Sequence, residues 1–365
     1  MKNKKILIPL ILILLAVIII GIITYPTKKE PEVIKIGAIL PLTGSAASFG
    51  QYVKEGLDLA LKEINKNEKK FEIIYEDSKG KPQEAVNAYQ KLINLENIKI
   101  VFAALSSVAS AIGPLAEKTK VIQIYVDVVK PEVADGIYKF RFYPEASKTA
   151  GFLAEFAYKK LSSKKAAVLR INDDYGEASL SAFKERFENL GGKVIWSEPY
   201  EIGQSDFKNL VIKLKSLEED LDVIYINGYG SSFVNAVKAV RTFIKDINIV
   251  ADVALGVPEN LSQLKEVAEG LYFVDGIMSE EFINIFKDNY GKLPTSDAGY
   301  AYAALKIISD IIKRSGTSFE SISNGLRSIK NYPSAMGSIT MRDNGDADLE
   351  FVIMQVKGGI PTLVK

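Results

Sequence analysis

The chain has 365 residues, 47% of them apolar, and its 46 lysines and arginines stand against 45 acids for a formal net charge of +1. That length supports one large or two ordinary domains, and so even a balance lacks the clustered positive charge that nucleic-acid binding requires. The absence of cysteine and histidine removes disulfides, thiolate nucleophiles, zinc sites of the usual N/S type and every Ser-His-Asp or Cys-His arrangement.

The first element in chain order is apolar. Lys2, Lys4 and Lys5 precede a run from Ile6 to Ile23 made almost wholly of Ile, Leu, Val and Ala, and the next charge is Lys28. An uncharged stretch of this length is enough for a bilayer core, which takes roughly 20 helical residues. A cleaved signal peptide is the competing reading, but the run is long for one and no A-x-A site follows. The expectation is one N-terminal transmembrane helix within residues 1–27, basic end in the cytoplasm and the body outside. A polar, proline-bearing linker follows at residues 28–32.

From Val33 onward, short Ile/Val-rich runs alternate with amphipathic stretches. Ile34–Leu40, Phe71–Tyr75, Ile98–Ala104 and Val121–Val126 read as strands buried on both faces of a parallel sheet. Between the first two, Val53, Leu57, Ala60, Leu61 and Ile64 mark one face of a helix. The pattern then repeats, with strands predicted at Ala166–Ile171, Lys193–Trp196, Val223–Asn227 and Asn248–Ala251. Helices are predicted at Glu177–Leu190, Phe207–Leu217 and Ser232–Phe243. Two successive blocks of this kind imply an α/β chain of two doubly wound lobes. Ligands of such lobes bind outside the carboxyl ends of the strands. The loops of interest are therefore 41–50, 105–110, 125–131, 172–177, 227–232 and 251–258.

These loops carry an ordered set of motifs: VIKIGAILPLTGSAASFG from Val33, YEDSKGKPQEAV from Tyr75, IVFAALSS from Ile100, DDYGEA from Asp173, VIYINGYG from Val223 and MGSITMRDNGDADLEFVIMQVKGG from Met336. Their order over nearly the whole body resembles the branched-chain amino-acid (Leu/Ile/Val)-binding family of type I periplasmic binding proteins, the receptor components of ABC importers. The resemblance implies a clamshell whose lobes are joined by three crossovers. Residues 33–142 plus 275–346 would form lobe 1, and residues 143–274 plus 347–365 lobe 2. It implies a small-molecule ligand, such as an amino acid, captured by hinge closure and delivered to an ABC transporter permease, with no cofactor or metal and no nucleic acid. A membrane-anchored sensory ectodomain is the alternative. An enzyme on the same fold is less favoured, because no nucleophile–base pair is legible and Gly44–Gly50 lacks the spacing of a phosphate loop.

By the same resemblance, Ser107 matches a serine that holds a ligand carboxylate, a sensible role just before a helix, where N–H groups favour anions. A plain N-cap role for Ser106 or Ser107 is the structural alternative. Phe49 matches an aromatic over the ligand, and Tyr175 and Tyr229 match two tyrosines of the second lobe. Two departures stand out. Asp127 and Val129 replace a small neutral residue and a threonine, and the family glutamate that neutralises an α-amino group falls at Ala254, with Asp252 the nearest acid. Either Asp127 has taken the amino-group role from the opposite lobe, or the ligand is not an α-amino acid, or Asp127 is a loop-capping aspartate.

Overall fold

The computed structural model describes residues 33–66, 70–96, 98–130 and 135–364. The apolar N-terminal run and the linker lie outside these residues. Among the described residues, no helix is long and apolar enough to cross a membrane.

The first sheet comprises β1 (Ile34–Leu40), β2 (Phe71–Asp77), β3 (Ile100–Ala104), β4 (Ile122–Val126) and β5 (Lys139–Arg141), in the order β2-β1-β3-β4-β5. The pairs β1–β3, β3–β4 and β4–β5 are parallel. Every residue of β3 and β4 is buried, as expected of continuous apolar runs between helical layers. The helices of this block are α1 (Ala47–Ile64), α2 (Pro82–Glu96) and α3 (Ser106–Thr119). On α1, Tyr52, Val53, Leu57 and Ala60 are all but inaccessible. Each large apolar side chain so buried contributes about 1.5–3 kcal/mol.

The chain then builds a second sheet. It contains β6 (Lys165–Ile171), β7 (Lys193–Tyr200), β8 (Val223–Asn227), β9 (Asn248–Ala251) and β10 (Tyr272–Gly276), with α4 (Ala146–Lys159), α5 (Asp174–Asn189), α6 (Lys208–Lys215), α7 (Gly230–Phe243) and α8 (Pro258–Leu264) around it. From β10 the chain passes to α9 (Glu280–Tyr290) and α10 (Ser296–Ser315). The latter lies along α1 beside the first sheet: Tyr302 and Lys306 reach Glu63 of α1 at 2.7 and 3.1 Å. After α11 (Phe319–Arg327) comes a small sheet of β11 (Tyr332–Ser334), β12 (Gly337–Met341) and β13 (Ala347–Asp348). The chain then returns to the second sheet as β14 (Phe351–Lys357) and β15 (Ile360–Leu363), giving the order β15-β14-β10-β9-β8-β6-β7.

The second sheet differs in one respect from the all-parallel lobe expected. Strand β14 runs antiparallel to both β10 and β15. For the β14–β15 pair the cause is local: Gly358 and Gly359 both take positive φ (59° and 76°), as a two-residue hairpin turn demands. Strand β7 also runs past the predicted Trp196 to Tyr200, through Pro199. Pro199 is tolerated because β7 is an edge strand, paired only with β6. Helix α5 begins three residues earlier than its hydrophobic periodicity indicates. Its start is set by Asp173, whose carboxylate accepts the Gly176 N–H at 2.9 Å.

Candidate functional site

The strand ends of the two sheets face each other across a narrow cleft. Helix α3 starts after Leu105, which sits at φ 76°, ψ 136°, a backbone conformation costly for a branched side chain. The Leu105 N–H donates to the carbonyl of Asp127 at 3.1 Å, and Asp127 itself is left-handed at φ 53°, which aspartate tolerates better than most residues. The Ser106 hydroxyl oxygen accepts the backbone N–H groups of Val129 and Lys130 at 3.2 and 3.3 Å. Ser106 therefore ties the start of α3 to the loop after β4. Neither serine caps the helix: the cap position is Leu105, with no side-chain cap. The first N–H groups of α3 thus end at the cleft without a side-chain acceptor.

Behind that loop lies Arg141, 1% exposed. Its guanidinium donates to Asp346 at 2.7 Å, to the Lys130 carbonyl at 2.6 Å and to Glu145 at 3.2 Å, and reaches the Val128 carbonyl at 3.5 Å. The loop carrying Asp127 and Val129 is therefore held from below by a fully engaged buried cation.

Phe49, Leu105, Ser106, Ser107, Asp127, Asp173, Tyr175, Tyr229 and Val253 line one narrow recess. An adjoining narrow recess shares Tyr175 and Val253 and also meets Val129, Tyr143, Asp252, Asp275, Ser296 and Tyr300. The sequence-predicted Phe49, Ser107, Asp127, Tyr175 and Tyr229 thus come together in one space, while Val129 and Asp252 border the neighbouring one. Phe49 meets Tyr229 edge-on at 6.2 Å and 76°, and Tyr229 donates to Asp173 at 2.6 Å. Asp252 is buried and occupied: the hydroxyls of Tyr175 and Tyr225 donate to it at 2.6 and 2.7 Å, and the Asn227 amide donates as well. Its geometry is that of a residue that positions Tyr175. The Val129 side chain is buried and its N–H is already taken by Ser106.

Asp173 lies in the DDYGEA motif but is not singled out there as a binding residue; the structure makes it the N-cap of α5 and the acceptor of Tyr229. Asp297, Asp275, Tyr143 and Tyr300 were missed altogether. They arrive from α10, β10 and the segment after β5, and bury a second set of polar groups beside Asp127. Burial pushes the carboxyl of Asp275 up to about 7 and that of Asp297 up to about 6. The Thr295 and Tyr143 hydroxyls are near enough to draw Asp297 back down, yet no hydrogen bond of ordinary geometry reaches either of its oxygens. Asp127 is raised well above the carboxylate range, first by burial and then by the like charges of Asp297 and Asp173. Among the described residues, no group of three or more acids is arranged to hold a metal ion.

The two sides of the cleft are in contact. Ser110 of α3 and Lys130 reach Asp174 of α5 at 3.0 and 3.1 Å, and Tyr52 of α1 reaches Glu259 of α8 at 3.2 Å. Gly230 approaches the loop after β1 so closely that a β-carbon there would sit 2.3 Å from the Ser45 carbonyl oxygen.

This two-sheet body, with recesses lined by aromatics and acids between the strand ends, has the architecture of a binding receptor. Residues 33–360 match the family model for periplasmic binding protein, and the chain belongs to that family. A Leu/Ile/Val-binding protein homolog of Brucella melitensis is 27% identical over 333 residues, covering 86% of this chain and 88% of that protein. A leucine binding protein of Thermotoga maritima superposes with a TM-score of 0.85 at 28% identity, covering 91% of this chain and 98% of that one. A solute binding protein of an ABC transporter from R. palustris, solved with benzoate, shares the fold with a TM-score of 0.84 at 19% identity, covering 91% and 95%. The protein is accordingly an extracytoplasmic-type solute-binding receptor, and its relatives are binding proteins rather than enzymes.

Proposed function

We propose that the chain captures an amino acid or related small polar solute between its lobes by hinge closure and presents it to the permease of an ABC importer. The lobes divide at residues 142/143, 274/275 and 346/347. The observation that carries this reading is a single recess walled from both sides, with Phe49, Ser107 and Asp127 facing Tyr175 and Tyr229. Such a space has its full set of walls only when the sides approach, so occupancy and closure are coupled. The Brucella melitensis and Thermotoga maritima relatives, named for Leu/Ile/Val and for leucine binding, support an amino-acid cargo. Phe49, Tyr175 and Tyr229 supply apolar area and hydroxyls. Ser107 with the uncapped start of α3 suits a carboxylate, and Asp252 acts by positioning Tyr175. The apolar run within residues 1–27 anchors the body at the outer face of the membrane as a single span.

The test is a thermal-shift screen of amino acids, amides and small carboxylates, since binding to the folded state raises apparent stability by mass action. Small-angle scattering with and without the best stabiliser follows. We expect a smaller radius on saturation; an unchanged radius removes the closure mechanism.

A further inference from the structure

The charges around the cleft do not balance. Asp127, Asp173, Asp252 and Asp275 border the two recesses, and among the described residues no lysine or arginine borders either one. Asp173 and Asp252 are accounted for by their internal donors. Asp127 is not: its Oδ2 is shut away from solvent and takes no hydrogen bond. Asp297, wholly buried beside it, has neither oxygen bonded. The nearby cations are engaged elsewhere, Lys130 with Asp174 and Arg141 with Asp346 and Glu145. A buried carboxyl group without a partner is costly, and two together more so. Of the acids that border the recesses, Asp127 is thus the one with a buried oxygen lacking a donor, and Asp297 lies behind it.

We infer that the receptor selects ligands bearing a cationic nitrogen, an ammonium or guanidinium group, which Asp127 binds directly and Asp297 supports from behind. This assigns the cation subsite to the wall formed by the loop after β4 and the start of α10. The opposite wall carries buried Ala254 and the already saturated Asp252. The inference rests on the receptor reading above and narrows its cargo. It holds whether the cationic nitrogen belongs to an amino acid or to a simple amine, because α3 can accept a carboxylate without requiring one.

Matched compounds separate these possibilities. The full-length chain in mild detergent is titrated with L-leucine, 3-methylbutylamine, 4-methylpentanoate, L-lysine, cadaverine and benzoate. Binding is read by thermal shift and calorimetry. We expect only compounds with a cationic nitrogen to bind, and Asp127→Asn to weaken the best of them at least tenfold. Since Asp127→Asn also removes an unpaired buried carboxyl, the ligand-free variant should melt no lower than wild type, which separates a lost contact from a lost fold. Asp297→Asn should weaken binding less than Asp127→Asn. Binding of 4-methylpentanoate or benzoate as tight as that of the amines overturns the inference and leaves the receptor reading standing. Undiminished amine binding by Asp127→Asn overturns it too. Silence from every compound removes it, and the receptor reading then stands or falls on its own broader screen.

Discussion

The two walls of the cleft treat their acids in opposite ways. On the second-sheet side, Asp173 caps α5 and accepts Tyr229, while Asp252 gathers Tyr175, Tyr225 and Asn227. On the first-sheet side, Asp127 and Asp297 have unbonded oxygens, although the loop beneath them is firmly held by Arg141 and Ser106. One wall has its acids satisfied as folded and fixes the aromatics in place. The other has a rigid backbone and unfinished side-chain chemistry. The lesson is that a buried polar group is best judged by its donors: both walls are acidic, but only one has acids without partners.

The largest disturbance should come from removing the support of the unfinished wall. Arg141→Met takes the guanidinium from Asp346 Oδ1, leaving that carboxylate only Asn344 and Arg342 on its other oxygen, and strips two backbone carbonyls of their donor. Breaking such a buried pair from one side costs about 3–5 kcal/mol, read as a lower urea midpoint. Next in size is pH. Asp275 and Asp297 are held up at about 7 and about 6 against an ordinary 3.8. The folded chain therefore keeps protons that the unfolded chain has already released. Their contribution to stability is full below about pH 4 and is lost as pH rises through 6 to 7. The ligand-free protein should melt higher at pH 5 than at pH 7.5; a flat or opposite profile would mean that the unfinished wall is better compensated than its geometry indicates.

On the completed wall, Asp252→Asn weakens charge-assisted hydrogen bonds and sets one amide against another at Asn227. About 2 kcal/mol of stability should go, with ligand affinity reduced only through the looser Tyr175. If affinity instead collapses while stability holds, Asp252 touches the ligand and the contrast between the walls is wrong. The smallest effect tests their meeting point. At Gly230, φ is 64°, and added bulk meets the Ser45 carbonyl. Gly230→Ala should weaken binding about tenfold, equivalent to 1.4 kcal/mol, and scattering should show a wider mean opening. Unchanged affinity would show that the contact does not limit closure.

Much of this was legible in the sequence. Continuous Ile/Val runs announced β1, β3, β4, β6, β8 and β9, the rule that ligands sit at strand ends selected the loops, and the family resemblance singled out Phe49, Ser107, Asp127, Tyr175 and Tyr229 within them. The rest was hidden for identifiable reasons. Asp297 stands in Pro294-Thr295-Ser296-Asp297 at the start of a helix, where an acid reads as an ordinary complement to the helix dipole. Only the return of the chain to α1, some 170 residues after Asp127, makes it a neighbour of the cleft. Asp252 followed an apolar strand as a site residue should, but its three donors lie on β8 and α5, and their convergence depends on strand register. Arg141 was invisible because a lone arginine at a strand end normally faces water.

Arg141 has one more consequence. It grips the carbonyls behind the recess and, with the same guanidinium, Asp346, just before the chain passes back to the second sheet. In a body that hinges, pivot and pocket floor then share a single bolt. Under the proposed closure, any swing of the lobes would be geared to the tilt of the loop that carries Asp127. A ligand that seats imperfectly should leave the jaws ajar by a matching angle, so that the quality of fit can be read from the outside as shape.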